Sequence, residues 1–139
     1  MPYIRIWIHA VWSTKNRVPY LKQEIRQDVF RHIWDNAKAK DIHLNEINGD
    51  ADHVHCLISL SGDQNISKVI QLLKGESSFW VNKNELCTDK FEWQDEYFAV
   101  SVSESQFMNV KNYIANQEEH HKKKSFKEEY DEFISKYNF

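Results

Sequence analysis

The chain has 139 residues, 41% apolar and 14% aromatic, with a formal net charge of -3, which is material for one domain around one core and argues against a disordered chain. Three glycines and two prolines leave almost nothing from which to build a glycine-rich phosphate loop, and Cys56 and Cys87, with no CxxC pair, suggest neither a disulfide framework nor a zinc finger. No apolar run approaches bilayer length and the N-terminus lacks the segments of a secretory signal, so the expected setting is a reducing cytoplasm, without membrane contact.

Ile4, Ile6, Ile8, Ala10 and Trp12 alternate with Tyr3, Arg5, Trp7, His9 and Val11. That period of two predicts a strand with sizeable apolar groups on both faces, hence a central one. The polar run 13–17 and Pro19 lead into a predicted helix over 22–40, where Ile25, Val29, Ile33 and Ala37 recur every four residues. Residues 42–47 read as a second strand, Asn48-Gly49-Asp50 as a turn, and 52–60 as a third strand. A second helix is expected over 66–84, with Ile66, Val69, Ile70, Leu73, Ser77 and Trp80 facing inward. A fourth strand lies within 92–103. Ser103, followed three residues later by Gln106, resembles a capping box that opens a third helix over 104–122, with Phe107, Val110 and Ile114 at core spacing. A lysine run (Lys122, Lys123, Lys124) follows. Residues 126–138 read as a last amphipathic helix using Phe126, Tyr130, Phe133, Ile134 and Tyr137.

The order β-α-β-β-α-β predicts an α+β, ferredoxin-like (split βαβ) antiparallel sheet over 3–103. Two helices cover one face, the other is left free, and additional C-terminal helices complete a single domain.

Asp52-His53-Val54-His55-Cys56-Leu57-Ile58 is the most informative stretch. Residues i and i+2 of a strand share a face, so His53 and His55 lie side by side, suited to one divalent cation. Val54, Cys56 and Ile58 point the other way, into the helix-covered core, which removes Cys56 from that ligand set. The pair is also compatible with packing, although each buried imidazole then needs a polar partner. The histidine-triad hydrolases need a third alternating histidine, and Leu57 stands there. The two-histidine phosphodiesterases need two separated His-x-Thr or His-x-Ser strings, and the chain has none. Further on, Tyr113 and Gln117 are one helical turn apart and face the same way, with His120 and His121 a turn beyond. By itself such a tyrosine also reads as a core-edge residue with its hydroxyl in water.

His-hydrophobic-His on a central strand followed by Tyr-x-x-x-Gln on a later helix resembles the HUH single-tyrosine transposases of small insertion sequences. Other segments match in the same order: Val11-Trp12-Ser13-Thr14-Lys15-Asn16-Arg17, Leu73-Lys74-Gly75-Glu76-Ser77-Ser78, and Trp93-Gln94 before Tyr97-Phe98. Tyr113-Ile114 with Gln117 and His120-His121, trailing into Ser125-Phe126-Lys127-Glu128-Glu129, is similar to the branch associated with repetitive extragenic palindromes. Glu96 departs from the pattern, at a place where a glycine is expected.

The resemblance implies a transposase that cleaves and rejoins single-stranded DNA near hairpins. Tyr113 is its nucleophile, forming a 5′-phosphotyrosine and freeing a 3′-hydroxyl. His53 and His55 hold a divalent metal ion, Mg2+ or Mn2+, and Gln117 can supply a third ligand through its amide oxygen. It also implies a homodimer. Lys15, Arg17 and Lys74 are basic residues at matching positions, Lys122, Lys123 and Lys124 add charge, and Trp93 can stack on a base. The acidic net charge weighs against nucleic-acid binding, yet is compatible with a local basic groove. Two other readings stay open: a non-catalytic, domesticated DNA-hairpin-binding or regulatory protein of the same fold, and a ferredoxin-like RNA- or ligand-binding module.

Overall fold

A computed structural model describes residues 3–121 and 124–137. Lys122 and Lys123 lie outside the described residues, as do the side chains of His120, His121, Phe133 and Tyr137. Four strands, β1 (Trp7–Ser13), β2 (His43–Asp50), β3 (His53–Ser59) and β4 (Phe98–Val102), form one sheet in the order β2-β3-β1-β4. Every neighbouring pair is antiparallel. The central place of β1 follows from its two-faced apolar pattern.

Helices α1 (Gln23–Ala39) and α2 (Ile66–Lys83) cover one face. There Ala10 and Trp12 of β1 and Val54, Cys56 and Ile58 of β3 pack against Val29, Phe30, Ile33, Val69, Ile70 and Leu73. The period of α1 behaves as expected, with Val29, Ile33 and Ala37 buried and Ile25 half-buried. On α2 the innermost late position is Val81; Trp80 is half-buried and stacks on His32 with ring centroids 4.0 Å apart. Asn65 caps α2, its side chain accepting from Lys68 N at 2.8 Å.

Three local expectations are corrected. Asn48-Gly49-Asp50 is strand, and the turn falls on Ala51 and Asp52. Ladder pairing of β2 with β3 through Asp50↔His53 outweighs the turn preference of those residues. Ser103 does not close a capping box: its hydroxyl meets Ser105 Oγ at 3.1 Å, and a 3-10 turn (Glu104–Gln106) precedes α3 (Phe107–Ala115). The third helix is also broken, with Asn116 (φ -103, ψ 24) separating α3 from α4 (Gln117–His121). The Asn116 side chain donates to Asn112 O at 3.0 Å, a local bond of the kind by which asparagine competes with helix.

The second face of the sheet is occupied as well. It is covered by α3, α4 and α5 (Phe126–Tyr137), which bury Ile114, Gln117, Phe126 and Glu129. Two ties set the α3–α4 junction. Asn48 Nδ2 donates to Ala115 O at 3.0 Å, and the buried Arg26 reaches Asp50 at 3.2 Å and Glu118 at 2.9 Å. No helix among the described residues is long and apolar enough to cross a membrane.

Candidate active site

The site forms on the face opposite α1 and α2. His53 and His55 leave β3 on that side and are fully buried. Each ring is held through Nδ1: His53 Nδ1 lies 2.8 Å from Asp52 Oδ1, and His55 Nδ1 lies 2.8 Å from His9 Nε2. A ring that offers its Nε2 lone pair to a cation carries its proton on Nδ1, and partners of this kind fix that tautomer. Burial first, and then the neighbouring His55, push His9 down to about 3, so it is neutral and able to accept.

The two Nε2 atoms converge with two oxygens. Glu129 Oε1 is 2.7 Å from His55 Nε2 and 4.0 Å from His53 Nε2. Gln117 Oε1 is 3.3 Å from His53 Nε2. Ligand atoms of His53, His55 and Glu129 all lie within 4.8 Å of one another, and all three residues are buried. Two imidazoles with carboxylate and amide oxygens form a mixed donor set that fits a divalent ion.

Tyr113 stands beside this cluster on α3. Its hydroxyl donates to Glu129 Oε2 at 2.5 Å, and its ring meets His55 edge-on at 5.7 Å and His9 at 6.2 Å. Burial, followed by the hydrogen bond to Glu129 and its charge, raises the phenol well above the usual tyrosine range. The hydroxyl is therefore protonated at neutral pH. Across the α3–α4 break, Gln117 Nε2 donates to Tyr113 O at 3.3 Å. A cavity of about 260 Å³ opens at Tyr113, lined by His9, Asn109, Glu129 and Lys136 among others.

The four residues singled out for chemistry, His53, His55, Tyr113 and Gln117, thus meet at one place. Two members of the cluster escaped sequence reasoning. Glu129 sits three residues after Phe126 and one before Tyr130, a carboxylate on the inward stripe of an amphipathic helix. That misplacement is its signal. His9 shares its strand face with Trp7 and Val11, a polar ring on a central strand that must find a partner.

The four residues read as DNA contacts gather elsewhere, around the loop 92–97. Lys15 is exposed and pairs with Glu92 at 3.5 Å. Lys74 donates to Gln94 O at 2.5 Å and Asp95 O at 3.1 Å, and burial lowers its pKa. Trp93 is 7% exposed, donates Nε1–H to Ser77 Oγ at 2.9 Å and packs edge-on against Trp12 and Phe91. It is a core residue that anchors the loop. Arg17 lies over the Phe126 and Tyr130 rings, at 5.6 and 5.3 Å. Lys124 pairs with Glu132.

Residues 3–117 match the family model described as Transposase IS200 like. A candidate transposase from Deinococcus radiodurans R1 is similar in structure, with a TM-score of 0.65 and 24% identity over 84% of this chain and 93% of that one. A REP-associated tyrosine transposase bound to a REP hairpin is similar with a TM-score of 0.65 and 18% identity, over 87% of this chain and 72% of that one. Both likenesses are ones of fold. No curated protein matched the chain.

Proposed function

The chain belongs to the IS200-like transposase family, and from that membership we propose that it cleaves and rejoins single-stranded DNA beside hairpins, with Tyr113 as nucleophile. The observation that carries this reading is the convergence of the Tyr113 hydroxyl, the Glu129 carboxylate and the Nε2 atoms of His53 and His55. The hairpin as substrate is supported by the similar REP-associated transposase, which is bound to one.

His53, His55, Gln117 and Glu129 are the residues to hold a divalent ion. Mg2+ or Mn2+ bound there supplies Lewis acidity toward the scissile phosphate. The rest of the step belongs to the chain. Tyr113 is protonated in the resting site, and its proton already points at Glu129 Oε2. As the Tyr113 Oη–P bond forms and the P–O3′ bond breaks, that proton passes to Glu129 and the departing 3′ oxygen takes up one from solvent. The product is a 5′-phosphotyrosine and a free 3′-hydroxyl. Attack by a 3′-hydroxyl on the phosphotyrosine reverses the step and rejoins a strand, with no external energy.

Asp52 and His9 keep the histidine rings in register by their bonds to Nδ1. Lys15 and Arg17 bring positive charge to the strand, while Lys74 and Trp93 act through the loop they hold. Homodimerisation is part of this reading.

Incubating the protein with a labelled single-stranded hairpin and Mn2+ tests the proposal. A covalent protein–DNA adduct is expected, and Tyr113→Phe abolishes it. Persistence of the adduct in that variant would remove Tyr113 as nucleophile. Hairpin binding without any adduct would make the chain a non-catalytic binder.

A further inference from the structure

A second cavity, of about 400 Å³, opens on the same sheet face beyond His53. That volume falls within the usual span of small-ligand sites, roughly 300–1,000 Å³. Val11 and Ser13 of β1 line it, and their register partners on β3 are His55 and His53. Phe126, also in its wall, meets the His53 ring edge-on at 4.3 Å. Helix α5 borders both cavities, with Glu129, Glu132 and Lys136 at Tyr113, and Phe126 and Tyr130 here.

The walls carry two kinds of chemistry. One is aromatic and cationic: the Phe98 and Tyr130 rings meet edge-on with centroids 4.8 Å apart, and the Arg17 guanidinium lies over Tyr130 and Phe126. The other is a polar edge made by Asn16, Gln94 and Glu96. Aromatic and guanidinium planes hold a base by its π-face, whatever its identity, while amide and carboxylate groups read its edge.

The turn that presents Arg17 is strained. Asn16 and Arg17 both have φ 56, a left-handed conformation that asparagine tolerates and arginine does not favour. Three bonds hold it: Arg17 N to Thr14 O at 3.0 Å, Thr14 Oγ1 to Val18 O at 2.7 Å, and Asn16 N to Gln94 Oε1 at 3.2 Å. Lys15, Asn16 and Arg17 are exposed, and the turn is anchored by the buried Thr14. The two strained residues gain no core burial from this conformation, and what it achieves is to place the Arg17 guanidinium over Phe126 and Tyr130 at the cavity.

Resting on the DNA-strand reading above, we infer that this cavity holds one nucleotide of the single strand that flanks the phosphodiester presented to Tyr113. Its base stacks on the Phe98, Tyr130 and Arg17 surface, with its edge toward Asn16, Gln94 and Glu96. Phe126 separates this cavity from His53, so the site lies next to the donor cluster and sets which nucleotide beside the cut is accepted.

The test uses the full chain and a fluorescein-labelled single-stranded 12-mer of random sequence, read by anisotropy. A matching set carrying one 5-iododeoxyuridine is crosslinked by light and mapped by mass spectrometry. Tyr130→Ala and Arg17→Gln are each expected to weaken binding about tenfold, Tyr130→Phe binds like the unaltered chain, and crosslinks map to Tyr97 or Tyr130. Arg17 is exposed, so its variant keeps the test valid if Tyr130→Ala loosens α5. Unchanged binding by both variants, in a chain that forms the adduct, overturns this site and leaves cleavage standing. Loss of binding in both, in a chain that forms no adduct, sinks the cleavage reading and, with it, the place of this nucleotide beside a cut, leaving the cavity as a single-strand binding site alone.

Discussion

Tyr113 donates its hydroxyl hydrogen to Glu129 Oε2 at 2.5 Å, while the other oxygen of that carboxylate lies 2.7 Å from His55 Nε2. One carboxylate thus joins the nucleophile to the donor cluster. Glu129→Gln keeps the shape and removes the charge and the proton acceptor. Adduct formation is expected to slow by about 100-fold and Mn2+ affinity to fall about tenfold. Single-turnover gels and calorimetry check the two effects separately. A variant as fast as the unaltered chain would leave Glu129 with packing alone.

Gln117 is fully buried, with its amide oxygen toward His53 and its amide nitrogen on Tyr113 O. If the oxygen is a ligand, Gln117→Glu retains cation binding, since it preserves an oxygen donor and adds charge. Gln117→Ala loses about tenfold in Mn2+ affinity. Equal affinity in both variants and the unaltered chain, measured by titration calorimetry, removes Gln117 from the ligand set.

His9 reaches the donor cluster through His55. When His55 offers Nε2 to a cation its Nδ1 carries the proton, and the neutral His9 ring, 2.8 Å away, is placed to accept it. Deleting the acceptor in His9→Ala should weaken Mn2+ binding by about 10- to 100-fold, a typical effect of losing such a partner. His9→Gln restores an acceptor oxygen and recovers part of it. A purely packing role for His9 would move thermal stability in both variants and leave no rescue in affinity.

Much of this arrangement is legible in the sequence, because it depends on local periods. The strand period of two sets His53 and His55 on one face and Cys56 on the other, while Tyr113 and Gln117, spaced as one helical turn in the sequence, meet across the α3–α4 break. Glu129 is not legible in this way. Its contacts with Tyr113 and the histidines require α5 to fold back across the sheet, and no local spacing encodes that return. The same holds for the break at Asn116 and the displaced turn after β2, where a side-chain bond and a strand pairing override local preference. Trp93 misleads for a related reason, since stacking and core packing draw on the same ring, and its burial against Trp12 and Phe91 with its bond to Ser77 Oγ at 2.9 Å comes from tertiary contacts.

The parity of β3 also fixes thiol chemistry. Cys56 is fully buried in the α1–α2 core and burial pushes its thiol far up, whereas Cys87 is half-buried with Sγ 3.5 Å from Tyr20 O. A thiolate is the reactive form, so Cys56 should be inert to a thiol reagent in the folded protein. Mass spectrometry after brief labelling should find modification at Cys87 alone, with Cys56 reacting only after denaturant is added. Native labelling of Cys56 would mean that the β3 core face opens far more readily than its packing implies.

Gly49 bears directly on His53. It pairs with Val54 across β2 and β3, and a Cβ placed there would lie 2.1 Å from His53 O and 2.9 Å from Val54 Cα, both backbone atoms. No side chain can swing away to relieve that contact, so the hairpin itself has to move. Gly49→Ala should therefore destabilise the protein by about 1–3 kcal/mol and weaken Mn2+ binding, since the displaced backbone is the one that carries the ligand. Gly75 is the matched control: it is exposed on α2, and a methyl group added to it would meet nothing within 4 Å. Gly75→Ala should stabilise by about 0.5–1 kcal/mol and leave cation affinity unchanged. Urea unfolding and calorimetry on both variants separate the cases, and a Gly49→Ala protein with normal stability and affinity would show that the β2–β3 hairpin yields without moving His53.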